Sequence, residues 1–353
     1  MITSRIAGTI SALDDPAASI VESTDGDTAV ALLESVRTHE LPESLAALVS
    51  EYQSFEAARP PFVWQWVHNL APANTMPFVD APHREAVATN KTMLVLFVTI
   101  LDDLLEKYRD YETFDAVACL VRPGGDVGSD VAGARATSDT VDERYVAFAT
   151  RVWEAIDARL EAGPKFEQYS PRFRFDLRQA VTAIEYSTLA IERPEQATVD
   201  DLWRYETHNM GLQSYLDVDL MHASGDLTES IPELRSAVDA AQRMARIGNW
   251  VSTWEREVYE GDVSSGVVVA ALERGIVSPA ELPDPEAPDA EAAARVVERI
   301  EARGLEAEFL AEWNDQYRRL NAVCDRLDAV DLTPFVEGTE DVLRYHIAST
   351  GLK

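Results

Sequence analysis

Asp102, Asp103 and Glu106 close the most apolar stretch of this chain, "MLVLFVTILDDLLE". Asp102 and Glu106 stand at i and i+4, so on a helix both project from one face, with Asp103 beside them. Carboxylates grouped on one helical turn are hard oxygen donors, the ligand type that Mg2+ takes. The chain holds 62 acidic residues in 353, and at that frequency about two such patterns arise by chance, so the spacing alone is weak. Context strengthens it. The segment before Asp102 is apolar on every face, which predicts a buried helix whose terminal carboxylates point toward whatever it encloses.

A second oxygen set lies in "GNWVSTWEREVYEGDVSSGVVVAALERG", where Asn249, Thr253 and Glu257 recur every four residues. They form a stripe along one side of a helix. This spacing of amide, hydroxyl and carboxylate has a chance expectation of only about 0.1 in a chain of this composition. An oxygen-only triad suits a cation that keeps several waters and completes its shell with substrate phosphates.

The elements that must position these groups are helical. Apolar residues recur at helical spacing in "ESLAALVSEYQSFEAA", "DERYVAFATRVWEAIDARLEA" and "RFDLRQAVTAIEYSTLAIE", and no β-type alternation persists. Helix breaks are predicted at "ARPP" (58–61), "RPGGDVGSD" (122–130), "AGP" (162–164), "ERP" (192–194) and "LPDPEAPD" (282–289). The expectation is an all-α bundle of a single domain over 26–353, preceded by a loosely held arm over 1–25 whose residues are small and polar.

Composition narrows the functional classes. The formal charge of -31 disfavours nucleic acid and anionic membranes as partners. Only four of the 31 basic residues are lysines (Lys91, Lys107, Lys165, Lys353), a balance that reads as adaptation to concentrated salt, where screening removes self-repulsion. The apolar segment over 93–101 is far short of the roughly 20 residues of a membrane span. The first residues lack signal-peptide character, and two cysteines, Cys119 and Cys324, fit a reducing compartment. A cytoplasmic location is expected.

On these residues the sequence resembles the class I terpene synthases of microbial type. That family carries a DDxxD or DDxxE motif, matched by "DDLLE", and far downstream an N-x-x-x-S/T-x-x-x-E motif, matched by Asn249, Thr253 and Glu257. Arg256, the basic residue before the last glutamate, and "EGDVSSGVVVAAL" also match, as does an R-Y pair near the C-terminus, Arg344 and Tyr345. The resemblance implies a class I terpenoid synthase bundle around an apolar cavity, with Asp102, Glu106, Asn249, Thr253 and Glu257 as ligands of three Mg2+ ions. It implies a prenyl diphosphate substrate, farnesyl or geranylgeranyl, ionised and cyclised with loss of diphosphate. Asp103, Arg256, Arg344 and Tyr345 would assist at the diphosphate, and Thr99 and Gly211 would stand at substrate-binding positions.

Some positions depart from the family pattern. Trp250 replaces the usual aspartate after Asn249, Thr99 stands where an aromatic is common, and Thr207 occupies the position of a diphosphate-sensing arginine four residues before Gly211. Arg204, one turn earlier, is the nearest substitute, weighed against a surface arginine offsetting Asp200 and Asp201. Trp64, Trp66, Trp250 and Trp254 are candidates for cation-stabilising walls or for plain core. Asp219 and His222 share metal-like spacing, but no second Glu-x-x-His repeat supports a di-iron site. Alternatives are a prenyl chain-coupling transferase of the same fold and a non-catalytic isoprenoid-binding protein; a homodimer stays open.

Overall fold

The computed structural model describes residues 15–56, 58–122, 140–284, 287 and 289–352. Fifteen α-helices lie among the described residues: α1 (Pro16–Ser23), α2 (Gly26–Arg37), α3 (Glu43–Tyr52), α4 (Pro61–Leu70), α5 (Arg84–Glu106), α6 (Tyr111–Ala118), α7 (Glu143–Glu161), α8 (Phe166–Glu192), α9 (Val199–Arg204), α10 (Leu212–Met221), α11 (Ile231–Tyr259), α12 (Gly266–Glu273), α13 (Ala290–Glu301), α14 (Leu305–Cys324) and α15 (Thr333–Ala348). No strand accompanies them among these residues; Val79 and Ala223 form an isolated bridge. The fold is all-α, as the periodicity predicts.

The helices begin and end for local reasons. Asp142 receives the Arg144 and Tyr145 amides at the start of α7 at 2.9 and 3.1 Å, and Asp110 receives the Thr113 amide at the start of α6 at 2.9 Å. Each cap satisfies amides that the first turn leaves free. Pro61 opens α4 where its missing N–H costs nothing. The expected breaks at 162–164 and 192–194 coincide with the ends of α7 and α8. That expected at 122–130, apart from Arg122, lies outside the described residues, as do parts of 282–289.

The N-terminal expectation needs correction. Its first fourteen residues lie outside the described set, but Pro16–Ser23 is a helix with Ala17, Ala18, Ile20 and Val21 buried. Asn314 Oδ1 accepts the Ala17 amide at 2.9 Å, which ties α1 to α14. Four small apolar residues on two turns give a weak periodic signal, and the partner that buries them is some 300 residues away in sequence.

α5 and α11 form the frame of the site. α5 is packed on α4, α7, α8 and α10, which is why residues around its whole circumference are buried, most of them apolar. α11 packs on α10, α14 and α15. Between α5 and α10 the fully buried Lys91 places Nζ 2.7 Å from Asp219 Oδ1 and donates to the Asn74 carbonyl at 2.7 Å. His222 Nδ1 meets the Val218 carbonyl at 2.9 Å. The Asp219 and His222 spacing therefore serves packing, with Lys91 as the counter-charge a buried carboxylate requires. No helix among the described residues is long and apolar enough to cross a membrane.

Candidate active site

α4, α5, α10, α11 and α15 enclose a cavity of about 690 Å3, within the size range of small-molecule sites, about 300–1,000 Å3. Val63 and Val67 of α4, Val95 and Val98 of α5, Leu212 of α10 and Val342 of α15 give it apolar walls. Polar groups gather where α5 and α11 end. Asp102 and Glu106 from α5 and Asn249, Thr253, Arg256 and Glu257 from α11 all line it, so the five expected ligands converge on one cavity.

Both motifs feel the charge of one residue, Asp262. Burial pushes the Glu257 carboxyl up to about 7, with the nearby Asp262 carboxylate pushing the same way. Glu106 is held well above the usual carboxylate range by burial and then by Asp102 and Asp262. Burial also raises Asp102, which the Arg59 guanidinium opposes. Asp262, on the turn after α11, thus acts on carboxyls of both helices. It is fixed by accepting from the Ser264 amide at 2.9 Å and hydroxyl at 2.7 Å.

Arg246 stands three residues before Asn249 on α11 and also lines the cavity. It is 8% exposed. Its Nε donates to Glu206 Oε2 at 2.6 Å and its Nη1 to Asn249 Oδ1 at 3.1 Å. Burial pushes its pKa down, while Glu257, Asp102, Glu106 and Asp262 favour its charge. Glu206 is fully buried in the 3-10 turn Glu206–Met210, which ends at Gly211 with φ 68°. That left-handed residue turns the chain into α10, a conformation that costs a side chain energy and glycine little. Gly211 thus shapes the wall through Met210 and Leu212, which line the cavity on either side of it.

Other expected residues divide. Thr99 and Arg256 line the cavity, and Arg256 Nε is buried without a hydrogen-bond partner. Asp103 is fully buried and turned away from the cavity, bound by the Tyr52 hydroxyl, by Lys107 Nζ at 3.0 Å and by Arg59 Nε at 3.3 Å. Arg204 is 66% exposed and pairs with Asp201 at 3.4 Å, outside the cavity lining. Arg344 pairs with Asp341 at 2.7 Å and Glu340 at 3.0 Å, and the Tyr345 hydroxyl meets Ser35 Oγ at 2.9 Å. Both side chains face away from the cavity; the next residue, His346, lines it instead. Helical phase explains this, because consecutive residues point about 100° apart.

Among the tryptophans, Trp66 and Trp250 line the cavity whereas Trp64 and Trp254 are fully buried core. Trp250 lies against α12 only because residue 266 is glycine: a Cβ there would come 2.6 Å from the ring.

No protein-family model matches the chain, and no curated protein matches it. Solved structures do. The chain is similar to a single-substitution variant of cucumene synthase with a TM-score of 0.50 at 17% identity, over 89% of this chain and 99% of that one. The wild-type cucumene synthase gives a TM-score of 0.49 at 16% identity, over 89% of this chain and 94% of that one. Geranylgeranyl pyrophosphate synthase from Corynebacterium glutamicum gives 0.45 at 15% identity, over 94% of each. The fold is that of the class I terpenoid synthases.

Within that terpenoid synthase fold the oxygen donors fit Mg2+. Asp102 Oδ1 is buried without a hydrogen-bond partner. The carboxyls of Asp102, Glu106 and Glu257 are all pushed up by burial, so an added cation stabilises each of them. Among the described residues no three His, Cys, Asp or Glu side chains form a ready metal cage. Amide and hydroxyl donors, water and a bound phosphate must complete any Mg2+ shell, which is how this small cation is usually held.

Arg59, Arg246, Asp262 and His346 are among the lining residues that were not expected from the sequence. Arg246 had a readable signal, since it shares a helix face with Asn249 at i, i+3. Asp262 sits inside the "EGD" element. Arg59 belongs to a loop without periodicity, and nothing local marks it.

Proposed function

We propose that this protein is a Mg2+-dependent terpene cyclase that ionises farnesyl or geranylgeranyl diphosphate and closes the resulting carbocation into a ring with release of diphosphate. The observation that carries the reading is the convergence of Asp102 and Glu106 with Asn249, Thr253 and Glu257 at the polar end of one apolar cavity. Asp102, Glu106, Asn249, Thr253 and Glu257 would hold Mg2+, which when bound supplies charge compensation for the departing diphosphate.

The chain's own residues do the rest. Arg256, partly exposed with its Nη groups on Glu257 and Glu260 and its Nε unpartnered, and the buried Arg246 supply guanidinium N–H groups for the anion, to which charge-assisted bonds are strong. The aromatic rings of Trp66, Trp250 and Tyr215 line the cavity, and their electron-rich faces stabilise positive charge. The valine and leucine walls exclude water that would quench a carbocation early.

Incubating the purified protein with geranyl, farnesyl and geranylgeranyl diphosphates plus Mg2+, followed by gas chromatography with mass detection, tests the reading. A cyclic hydrocarbon or alcohol is expected from the farnesyl or geranylgeranyl substrate. Chain-elongated diphosphates on addition of a five-carbon co-substrate would make it a coupling enzyme instead, and unchanged substrate would make it a binding protein.

The charge of -31 supports a working environment of concentrated salt. Self-repulsion on so acidic a surface weakens as the Debye length falls from about 10 Å at 0.1 M to about 3 Å at 1 M. The melting temperature should therefore rise by several degrees between about 0.1 M and about 2 M KCl. An unchanged melt would refute salt adaptation.

A further inference from the structure

Arg59 reaches all three acidic residues of the first motif. Its Nη2 lies 2.5 Å from Asp102 Oδ2 and 4.0 Å from Glu106 Oε2, and its Nε lies 3.3 Å from Asp103 Oδ1. The residue comes from the loop between α3 and α4, so neither motif accounts for it. Its backbone is fixed on both sides: the Arg59 amide donates to the Tyr52 hydroxyl at 3.1 Å, and Gln53 Nε2 donates to the Arg59 carbonyl at 2.6 Å. Pro60 and Pro61 follow, so the backbone leading into α4 has little freedom. The side chain is different. It is 29% exposed and lines the cavity, so the guanidinium can leave the carboxylates by rotating its own torsions.

From this geometry we infer that Arg59 is a built-in counter-cation: it occupies Asp102 and Glu106 until a diphosphate enters, and so couples metal loading to substrate binding. The inference rests on the reading of Asp102 and Glu106 as Mg2+ ligands. The guanidinium on Asp102 Oδ2 leaves Oδ1 open but cancels much of the carboxylate charge, so Mg2+ arriving alone binds well only if the guanidinium moves away. The displaced guanidinium would then sit beside incoming positive charge with no anion to compensate it. A diphosphate in the cavity removes that penalty, because a guanidinium binds phosphate oxygens as well as it binds a carboxylate. Arg59 then exchanges one anion for another while its backbone stays in place. Such coupling is reciprocal: if diphosphate strengthens Mg2+ binding through Arg59, then Mg2+ strengthens diphosphate binding by the same factor. The consequence is a site that stays metal-poor without substrate, which limits loading by ions from a salt-rich medium.

Calorimetric titration of the full chain tests this with Mg2+ alone, then with Mg2+ in the presence of inorganic diphosphate, on the wild type and on Arg59→Gln, Arg59→Lys and Asp102→Asn. Arg59→Gln should tighten binding of Mg2+ alone by about tenfold or more, within the usual range of coupling between sites. The gain that diphosphate confers should shrink in step. Arg59→Lys should fall between, since a single ammonium cannot span three acids, and it carries the test if Arg59→Gln loses helical content. Equal or weaker Mg2+ affinity in the folded Arg59 variants, with binding still abolished by Asp102→Asn, would overturn the Arg59 role and leave the metal reading intact. Mg2+ binding indifferent to Asp102→Asn would instead overturn the metal reading on which the role depends.

Discussion

Asp102→Asn and Glu257→Gln should each reduce turnover by about a hundred- to a thousandfold, the scale on which a single electrostatic contact to a developing charge acts. Helical content should be unchanged. Each substitution keeps the shape of the side chain and removes one negative charge from a site where burial already disfavours it. Arg59 can still donate to the amide oxygen at position 102, so no new buried charge is stranded there. The double variant should be little worse than either single one, because the two residues serve one constellation and losing either disables it. Steady-state kinetics with farnesyl and geranylgeranyl diphosphates, with circular dichroism as the folding control, measures both points. If each change costs only a few-fold, the metal assignment fails. If the losses multiply, the two motifs act independently and their convergence in one cavity has another meaning.

What the sequence made legible follows from how information is distributed along a helix. α5 could be read because it is buried on every side, and a run of apolar residues that stops at "DDLLE" has few structural explanations. The Asn249, Thr253 and Glu257 stripe could be read because three residues at i, i+4 and i+8 must share a face. Phase errors limited the rest. Tyr345 and Arg344 sit next to the residue that lines the cavity, His346, and one helical step moves a side chain by about 100°. Asp103 is adjacent to Asp102 yet turned into a cluster with Tyr52 and Lys107, and only the distant Tyr52 reveals it. Loop residues carry no phase at all. Arg59 and Asp262 enter the site from turns, where position is set by partners such as Tyr52, Gln53 and Ser264 and not by spacing. The same reason hid α1, whose burial depends on α14.

Arg246→Lys should lose most of the turnover, whereas Arg204→Lys should keep the wild-type rate. The two arginines separate the surface reading from the site reading of the absent sensor at Thr207. Arg204 lies in solvent beside Asp201, where an ion pair contributes little and a lysine replaces it well. Arg246 is buried, held by Glu206 on one side and by Asn249 on the other, with its guanidinium in the cavity wall. A lysine there retains the charge that buried Glu206 requires, so the fold should survive. It loses the planar fork that can hold Glu206, Asn249 and a phosphate oxygen at once. The loss should appear chiefly in kcat, since an anion bond that strengthens as the C–O bond breaks is made in the transition state and less in the ground state. A loss confined to KM would assign Arg246 to ground-state binding only. Full activity in Arg246→Lys, with the melting temperature unchanged, would reduce Arg246 to a structural partner of Glu206; activity lost instead in Arg204→Lys would return the sensing role to the edge of the 3-10 turn.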